Sequence, residues 1–319
     1  MAGRVYRTVG DEMKLRMQSA MEYLITYGWA ILIIVVVLGA LYAFGVFSPS
    51  NFSPRTQPGA CYVNRPYGPG TVDFVTLEGT CGNGLPKYVG RFKGAINTGS
   101  HSRINYVNIG TAPAYNQLKS NFTVVGWVDL RPVNSTITGN YNYMLSNDRD
   151  CCGTYYGYAL GIAVNRPYFR VWNGTEHSTS SNETLQYDTW YQIVGTFNGT
   201  EVSVYVNGKL TGHAAFTGDI SKPANFSLYI GRLGVGSIYG INGYLANMQI
   251  YNTTLSANTI HNLYQEGIGG SPVELKNLIG WWPLNGNAKD YSGNGYDAIN
   301  EVSVSYYSEW TTDYTTPSG

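Results

Sequence analysis

The feature that most constrains this chain is an apolar segment at residues 18–47, QSAMEYLITYGWAILIIVVVLGALYAFGVF. No charged side chain occurs between Leu24 and Phe47, and a helix over that stretch would be about 36 Å long, enough to cross a bilayer. Lys14 and Arg16 precede the segment. Because positive residues that flank such a helix stay in the cytoplasm, the pattern predicts a cytoplasmic N-terminus and an exported remainder.

The segment differs from an ordinary secretory signal peptide in two respects. Its apolar run is too long, and no small-residue cleavage site follows it. In addition, a carboxylate, Glu22, stands near its start. A carboxylate near lipid is unfavourable unless it is paired, so a partner is expected. One interpretation is a plain signal anchor with Glu22 at the lipid headgroups.

The sequence QSAMEY, which begins at Gln18, resembles the processing site of archaeal type IV pilin-like proteins, the class III signal peptide. The resemblance implies that a peptidase cuts between Met17 and Gln18 and removes residues 1–17 as a cytoplasmic leader. It also implies that residues 18–47 form a filament-core helix, in which Glu22 pairs with an N-terminal amine during assembly. The implied partners are the membrane before assembly and other copies of the chain in an extracellular filament afterwards.

Composition is consistent with export and argues against a nucleic-acid partner. Of the 319 residues, 13% are charged, and the formal net charge is zero. A chain without excess positive charge has no general electrostatic attraction for nucleic acid or anionic surfaces. Asparagines in N-X-Ser/Thr sequons are candidate glycosylation sites on an exported protein. These are Asn51, Asn121, Asn134, Asn173, Asn182, Asn198, Asn225 and Asn252.

The four cysteines predict disulfide bonds, because the part of the chain that carries them is expected outside the cell. Cys61 and Cys81 bracket a Pro- and Gly-rich stretch, and a bridge between them would close a loop of about 20 residues, worth roughly 3 kcal/mol. Cys151 and Cys152 are then expected to pair with each other as a strained vicinal disulfide. Cross-pairing with Cys61 and Cys81 is the alternative.

Residues 48–70 are rich in Pro, Gly and Ser and are predicted to be a linker, leaving one domain at residues 71–319. Strand signals dominate that domain, as short β-branched or aromatic runs bounded by turn residues. The runs are Thr71–Leu77, Ile104–Ile109, Phe122–Leu130, Tyr141–Ser146, Tyr158–Val164, Tyr168–Trp172, Trp190–Phe197, Glu201–Val206, Phe226–Ile230, Tyr244–Tyr251, Ile279–Leu284 and Ala298–Ser305.

Two local patterns sharpen the fold prediction. Residues 201–206 alternate valine with more polar residues and lead directly into Asn207-Gly208, the preferred two-residue hairpin turn. A single convincing helix begins after Ser256 as its N-cap and ends at Gly267. Many short strands separated by frequent turns predict a mainly β fold, an antiparallel sandwich or jelly roll that follows the long N-terminal hydrophobic helix.

The order of several motifs resembles the second half of a laminin G-like, concanavalin A-like jelly roll. The matching segments are Trp190–Thr200 (WYQIVGTFNGT), Val204–Lys209 (VYVNGK), Tyr229–Arg232 (YIGR), Gly243–Leu245 (GYL), Ile250–Tyr251 and Leu255–Ala257. Residues 105–109 and 122–128 resemble the first half. The resemblance implies a concanavalin A-like jelly roll over most of the exported part.

One segment stands out of order. Residues 280–295, GWWPLNGNAKDYSGNG, resemble the segment that normally opens such a module, yet here they come last. The domain is therefore predicted to be circularly permuted, with residues 278–305 pairing with the jelly roll of their own chain. The alternative is that this strand is donated to an adjacent subunit.

No catalytic constellation is recognisable, so the chain is predicted not to be an enzyme. Related jelly-roll glucanases carry E-x-D-x-E on one strand, where two carboxylates flank a glycosidic bond. No such run occurs here, and strand acids such as Asp129 and Glu201 are isolated. An extracellular glycoside hydrolase with dispersed acids is the less favoured alternative.

Aromatic residues are candidates for stacking on sugar rings, with Asn and Asp supplying hydrogen bonds. They are Tyr155, Tyr156, Trp172, Trp281 and Trp282. The alternative is that one of the paired tryptophans belongs to the core. Calcium is a further candidate ligand, and no other cofactor is expected. Its oxygen donors would be Asp148 with Asp150, or Asp290, Asn294 and Asp297, although the second set also fits a simple turn.

The sequence therefore predicts a subunit of an archaeal cell-surface filament. Its helix would form the filament core, and its jelly-roll head would mediate adhesion or glycan contact. A non-polymerising, membrane-anchored lectin is the main alternative, and both interpretations place the domain outside the cell.

Overall fold

The computed structural model describes residues 27–43, 55–82, 84–97, 102–132, 141–151, 154–220, 226–234, 239–299 and 309–317. The chain divides into two units. The first contains helix α1, at residues 27–43, and the second comprises Ser53–Pro317.

Helix α1 carries apolar side chains on all its faces, and most of them are exposed. Within the described ranges, no helix combines the length and the apolar character needed to cross a membrane. The rest of the apolar segment, residues 18–26 and 44–47, lies outside the described residues. The Met17–Gln18 bond and Glu22 lie outside them as well.

The second unit is built mainly from short strands. The strands up to residue 130 are β1 (Arg55–Thr56), β2 (Cys61–Asn64), β3 (Thr76–Gly79), β4 (Leu85–Pro86), β5 (Val89–Lys93), β6 (Ala95–Asn97), β7 (Ser102–Ile104), β8 (Val107–Gly110) and β9 (Phe122–Leu130). The following strands are β10 (Tyr141–Cys151), β11 (Thr154–Ala163), β12 (Arg166–Asn173), β13 (Glu176–Ser180), β14 (Trp190–Phe197), β15 (Glu201–Val206), β16 (Lys209–Ala215), β17 (Leu228–Ile230), β18 (Asn242–Tyr251), β19 (Leu278–Trp282) and β20 (Glu309–Thr311). The helical elements are α2 (Pro113–Asn116), α3 (Ala257–Gln265) and a 3-10 turn at Leu275–Asn277.

Two large sheets form a sandwich in the described part of the chain. One has six strands in the order β13-β12-β11-β10-β17-β8. The other has eight, in the order β16-β15-β14-β9-β18-β5-β20 with β19 also paired to β18. Neighbouring strands within both sheets run antiparallel. The predicted mainly β, antiparallel sandwich is therefore confirmed.

Strand alternation produces the core between the sheets. Val202, Val204 and Val206 of β15 all point inward and are buried, as the alternating pattern predicts. Asn207 and Gly208 then turn the chain with φ of +48° and +77°, values that the favoured hairpin turn requires. Because asparagine and glycine tolerate positive φ, these two residues determine the turn of the β15–β16 hairpin.

Helix α3 also forms as its sequence predicts. Ser256 Oγ accepts a hydrogen bond from the Thr259 backbone N–H at 3.1 Å, so it caps the first turn. Ile260 and Leu263 are buried, and Gly267 follows the helix with a φ of +78°. The helix thereby fastens an apolar face onto the sheet beneath it.

The structure corrects the predicted linker at residues 48–70. From Arg55 onward this segment belongs to the second unit and contains β1 and β2. Val63 is buried, and its backbone N–H donates to the Tyr291 carbonyl at 2.8 Å. The segment folds onto the domain because a buried apolar residue and backbone hydrogen bonds attach it there. Composition alone does not reveal these contacts. The strand predicted at Thr71–Leu77 forms instead at β3.

The segment that resembles a module opening pairs with the jelly roll of its own chain. Strand β19 runs antiparallel to β18, with Trp282 opposite Met248 and Trp281 opposite Gln249. Both tryptophans are buried. Ala298 and Ile299 are not in a strand, and residues 300–305 of the last predicted strand lie outside the described residues.

Candidate functional site

The two outer faces of the sandwich differ in what covers them. The outer face of the eight-stranded sheet packs beneath the N-terminal residues around Val63, helix α3 and the C-terminal residues around Tyr314. The outer face of the six-stranded sheet carries Leu233 and Tyr239, which pack against Tyr143, Ala159 and Tyr168. The outer face of the six-stranded sheet is called here the open face, because fewer of the described segments pack on it.

Four tyrosine rings pack together on the open face. They form the tyrosine cluster: Tyr141, Tyr143, Tyr168 and Tyr239. The ring centroid of Tyr141 lies 6.1 Å from that of Tyr168 and 5.8 Å from that of Tyr239, and these rings meet edge to face. Tyr143 and Tyr168 are buried, whereas Tyr141 is 46% exposed. The cluster therefore combines the exposed ring of Tyr141 with the buried rings of Tyr143 and Tyr168.

A buried ion pair lies beside the tyrosine cluster. Arg170 Nη2 donates to Asp148 Oδ2 at 2.8 Å, and both side chains are almost fully buried. The guanidinium carbon of Arg170 lies 5.2 Å from the Tyr143 ring centroid and 5.1 Å from that of Trp172. Charge-assisted hydrogen bonds of this kind are stronger than neutral ones and also fix the relative orientation of the two side chains. Arg170 therefore contacts both the tyrosine cluster and Trp172.

Tyr155 stacks on Trp172 at the end of the same face. Their ring centroids are 4.9 Å apart, with 18° between the planes. Gly157 lies opposite Trp172 in the β11–β12 register, so no side chain crowds the indole there. Trp172 is 6% exposed, while Tyr155 is half-buried. Nε1 of Trp172 has no hydrogen-bond acceptor among the residues that the structure describes.

The family is recognisable from the sequence that builds these strands. Residues 102–261 match the family model described as the concanavalin A-like lectin/glucanases superfamily. The chain belongs to this superfamily. The match spans β7 to the middle of α3, so it includes every strand of the open face and ends before β19.

Solved structures with similar folds share little sequence with this concanavalin A-like chain. A Bacteroides ovatus protein thought to bind carbohydrate is 15% identical, with a TM-score of 0.45, and the match covers 69% of this chain and 60% of that one. A heptameric SAP-like pentraxin from Limulus polyphemus is 12% identical, with a TM-score of 0.37, over 56% of this chain and 83% of its own. The botulinum neurotoxin serotype C1 binding domain is 15% identical, with a TM-score of 0.40, over 65% and 51%. No curated protein matches the chain.

The five predicted sugar-stacking residues do not share one surface. Tyr155 and Trp172 come together on the open face, and Tyr156, the next residue along β11, alternates to the opposite side. Trp281 and Trp282 are not available for stacking, because both are buried. Their indole N–H groups donate internally, that of Trp281 to the Asn247 side chain and that of Trp282 to the Tyr296 carbonyl. The prediction that these two rings bind sugar is therefore wrong.

The predicted calcium ligands near the C-terminus form a turn instead. Asp290 accepts four hydrogen bonds, from the backbone N–H groups of Trp281, Ser292 and Tyr296 and from the Ser292 hydroxyl. Burial raises the pKa of the Asp290 carboxyl, although these donors oppose the shift. Its lone pairs are directed at N–H and O–H groups, as in the simple-turn interpretation of the sequence.

The other proposed calcium donors are also engaged. Asn294 accepts from the Gly70 N–H at 2.8 Å, and Asp297 accepts from the Asp290 N–H at 2.8 Å. Asp148 pairs with Arg170, and the side chain of Asp150 is not among those that the structure describes. Over the described part of the chain, no group of three or more His, Cys, Asp or Glu side chains could hold a metal ion.

The disulfide between Cys61 and Cys81 forms, with α-carbons 4.8 Å apart. Disulfides persist in oxidising compartments, so this bond indicates a location outside the cytoplasm. Cys152 and the side chain of Cys151 lie outside the described part, and the predicted vicinal bond stays a prediction.

The sequon asparagines that the structure describes all have exposed side chains. They are Asn121, Asn173, Asn182, Asn198 and Asn252. Asn51, Asn134 and Asn225 lie outside the described residues. Exposure is a requirement for glycan attachment, so glycosylation of the five remains a prediction that their positions permit.

Sequence reasoning missed the residues that organise the open face. Tyr143, Tyr168 and Arg170 were not singled out as site residues. The signal was present in β12, where Tyr168, Arg170 and Trp172 alternate with buried Phe169 and Val171 and so share one face. The pairing of Arg170 with Asp148 joins residues 22 positions apart, and no short-range pattern shows it.

Proposed function

We propose that this chain is a non-catalytic carbohydrate-binding protein of the cell exterior, and that it binds glycans on the open face of its concanavalin A-like domain. The observation that carries the proposal is the Tyr155–Trp172 stack, in which Tyr155 is half-buried and Trp172 is buried. Ligand sites combine aromatic surfaces with a few fixed polar groups. The exposed ring of Tyr141 offers a second such surface.

The polar groups of this face support a rigid platform. Arg170 contacts the rings of Tyr143 and Trp172, and its ion pair with Asp148 fixes its position. Glu176 approaches the same guanidinium at 3.6 Å. A platform that is rigid before binding loses little conformational entropy when a ligand arrives. Glycan rings would stack on Tyr155 and Tyr141, and their hydroxyls would reach polar groups between them.

The same arrangement supports binding without catalysis. Glycoside hydrolysis uses two carboxyl groups on either side of the scissile bond, one as acid and one as base or nucleophile. Among the side chains that the structure describes, two acids of this face, Asp148 and Glu176, both lie against the Arg170 guanidinium. Two carboxylates that contact the same guanidinium are not placed on opposite sides of a glycosidic bond, as hydrolysis requires.

The test is a binding titration of the full chain against a panel of neutral oligosaccharides. Tyr155→Ala and Tyr141→Ala should each weaken affinity about tenfold, the effect of losing roughly 1.4 kcal/mol of contact energy. Tyr67→Ala is the matched control, since Tyr67 is 66% exposed but lies in the N-terminal residues outside the open face. Equal affinity of all three variants, or no binding by the wild type, would refute the proposal.

A second candidate function, as a filament subunit, is favoured by helix α1. Its apolar side chains are exposed, with Leu32 63% and Val35 62% accessible, and a helix that is apolar on all faces is stable when it is buried. Other copies of the same helix would bury it in a filament core. Electron microscopy of material sheared from cells tests this role, and Glu22→Ala should yield folded protein but few filaments. Normal filament yield from that variant would count against it.

A further inference from the structure

A row of three side chains on the outer face of the eight-stranded sheet lies beneath the C-terminal residues 309–317. The row consists of Trp190 on β14, Asp129 on β9 and Tyr244 on β18, which are direct partners in the strand register. The ring centroids of Trp190 and Tyr244 are 6.4 Å apart, with 27° between the planes. A carboxylate therefore stands between two aromatic side chains on three adjacent strands.

The carboxylate in this row is buried without a full set of partners. Asp129 is 0% exposed. Its Oδ2 accepts from Arg131 Nη2 at 2.9 Å and from the Thr315 hydroxyl at 3.4 Å. Its Oδ1 has no hydrogen-bond partner among the described residues, and the same holds for Arg131 Nε and Gln192 Oε1. Buried polar atoms are normally hydrogen-bonded, so these three unbonded atoms require an explanation.

The C-terminal residues fill the space above this row with polar groups. Trp190 Nε1 donates to the Thr315 carbonyl at 2.6 Å, and the Thr315 hydroxyl donates to Asp129. The Tyr314 ring meets Trp190 edge-on, with centroids 6.1 Å apart. One donor and one acceptor above an aromatic pair are what a sugar ring with its hydroxyls would present. Thr315 thus makes contacts of the kind that a saccharide would make.

This segment is attached through one short strand, through Trp310, which packs against the main core, and through Tyr314. Its strand β20 pairs three residues with the short strand β5, from Glu309 opposite Arg91 to Thr311 opposite Val89. Beyond it, the Tyr314 hydroxyl donates to the Pro86 carbonyl, and the Arg55 guanidinium carbon lies 4.5 Å from the Tyr314 ring. Short terminal elements open at lower free energy than central strands. The row can therefore be uncovered without separating the two sheets.

We propose that residues 309–317 close a second saccharide site, whose base is formed by Asp129 and by the stacked rings of Trp190 and Tyr244. The ligand is a neutral sugar ring. Its hydroxyls, which both donate and accept, would bond Asp129 Oδ1 and the other buried polar atoms that the C-terminal segment leaves unbonded. Asp188 also pairs with Arg131, so two carboxylates share one guanidinium and disfavour an anionic sugar.

The test compares the wild type with two uncovered variants, Tyr314→Ala in the full chain and a chain that lacks residues 309–319. Affinity for neutral mono- and oligosaccharides is measured by titration. Because a covered site binds only in its open fraction, uncovering should tighten apparent affinity about tenfold to a hundredfold. Asp129→Asn in the uncovered background should abolish the gain. Tyr155→Ala should leave the gain intact, which separates this site from the open face.

Competition and hydrogen exchange complete the test. A synthetic peptide of residues 309–317 should displace the saccharide from the truncated chain. In the wild type, which needs no variant to fold, the bound saccharide should speed amide exchange in residues 309–317 and slow it in β18. If the uncovered variants are folded and bind the peptide but no saccharide, the proposal is overturned. If the variants do not fold, an unchanged exchange rate at saturating sugar overturns it.

Discussion

The two outer faces of the sandwich are stabilised in different ways. The outer face of the eight-stranded sheet, the covered face, packs apolar side chains of three separate segments onto its strands, and a disulfide closes one of those segments. The open face has a tyrosine cluster and the Asp148–Arg170 ion pair, in which both side chains are buried. The covered face also buries a carboxylate, Asp129, but its partner Arg131 is 30% exposed. Apolar packing tolerates small changes, whereas a buried charge depends on a single partner.

This difference bears on function. Segments that cover a sheet bury its side chains and thereby stabilise the fold. A face with partly exposed aromatic rings still has apolar surface that a ligand can contact. The tyrosine cluster keeps Tyr143 and Tyr168 buried so that Tyr141 is held in place. The covered face shows the reverse, since its aromatic pair Trp190 and Tyr244 already contacts residues of its own chain.

The largest expected effect is on the open face. Arg170→Ala should destabilise the protein by about 3–5 kcal/mol, because it leaves Asp148 buried without its guanidinium. Urea denaturation followed by tryptophan fluorescence measures the loss. Arg166→Ala is the control, since Arg166 is exposed at the start of the same strand. Similar midpoints for both variants would show that the ion pair does not hold this face together.

The next effect is on the covered face. Replacing Cys61 and Cys81 by alanine should lower stability by roughly 3 kcal/mol, because the bond closes a loop in the unfolded chain. Thermal unfolding of the variant and of reduced wild type should agree. Saccharide affinity of the open face should stay at the wild-type value. A loss of that affinity would mean that the two faces are coupled, and the comparison would fail.

The sequence predicts local structure well where a short-range rule determines it. Strands β9, β14 and β15 begin and end as predicted, and the Asn207-Gly208 turn and the Ser256 cap form because each depends on neighbouring residues. The fold class follows from the same alternation. The resemblance of residues 280–295 to a module opening also pointed to a paired strand, and β19 forms there.

Long-range partners were beyond the sequence. The ion pair on the open face, the attachment of Val63 to Tyr291 and the burial of both Trp281 and Trp282 depend on chain segments far apart. The apparent linker failed for the same reason, since proline and glycine mark turns in a folded segment as readily as in an extended one. Candidate stacking residues could be proposed by type, but only the packing separates Tyr155 from the buried tryptophans.

The smallest expected effect is a pH dependence of the covered face. Burial raises the pKa of the Asp129 carboxyl, while Arg131 opposes the shift and Asp188 reinforces it. The folded chain therefore binds this proton more readily than the unfolded chain does. Stability from this group is fully present below the ordinary aspartate pKa of about 3.9 and is lost as pH rises through the folded pKa. Acidification from neutral pH should thus stabilise the wild type relative to Asp129→Asn.

Urea midpoints of the wild type and Asp129→Asn across that range measure the difference. The uncovered chain that lacks residues 309–319 sharpens the comparison, because water would then reach Asp129 and remove most of the cause of its raised pKa. The advantage of the wild type at low pH should therefore shrink in that background. A difference that stays constant with pH, or that grows toward neutral pH, would mean that Asp129 is not desolvated by the C-terminal segment. The covered face would then lack the buried charge that distinguishes it from ordinary apolar packing.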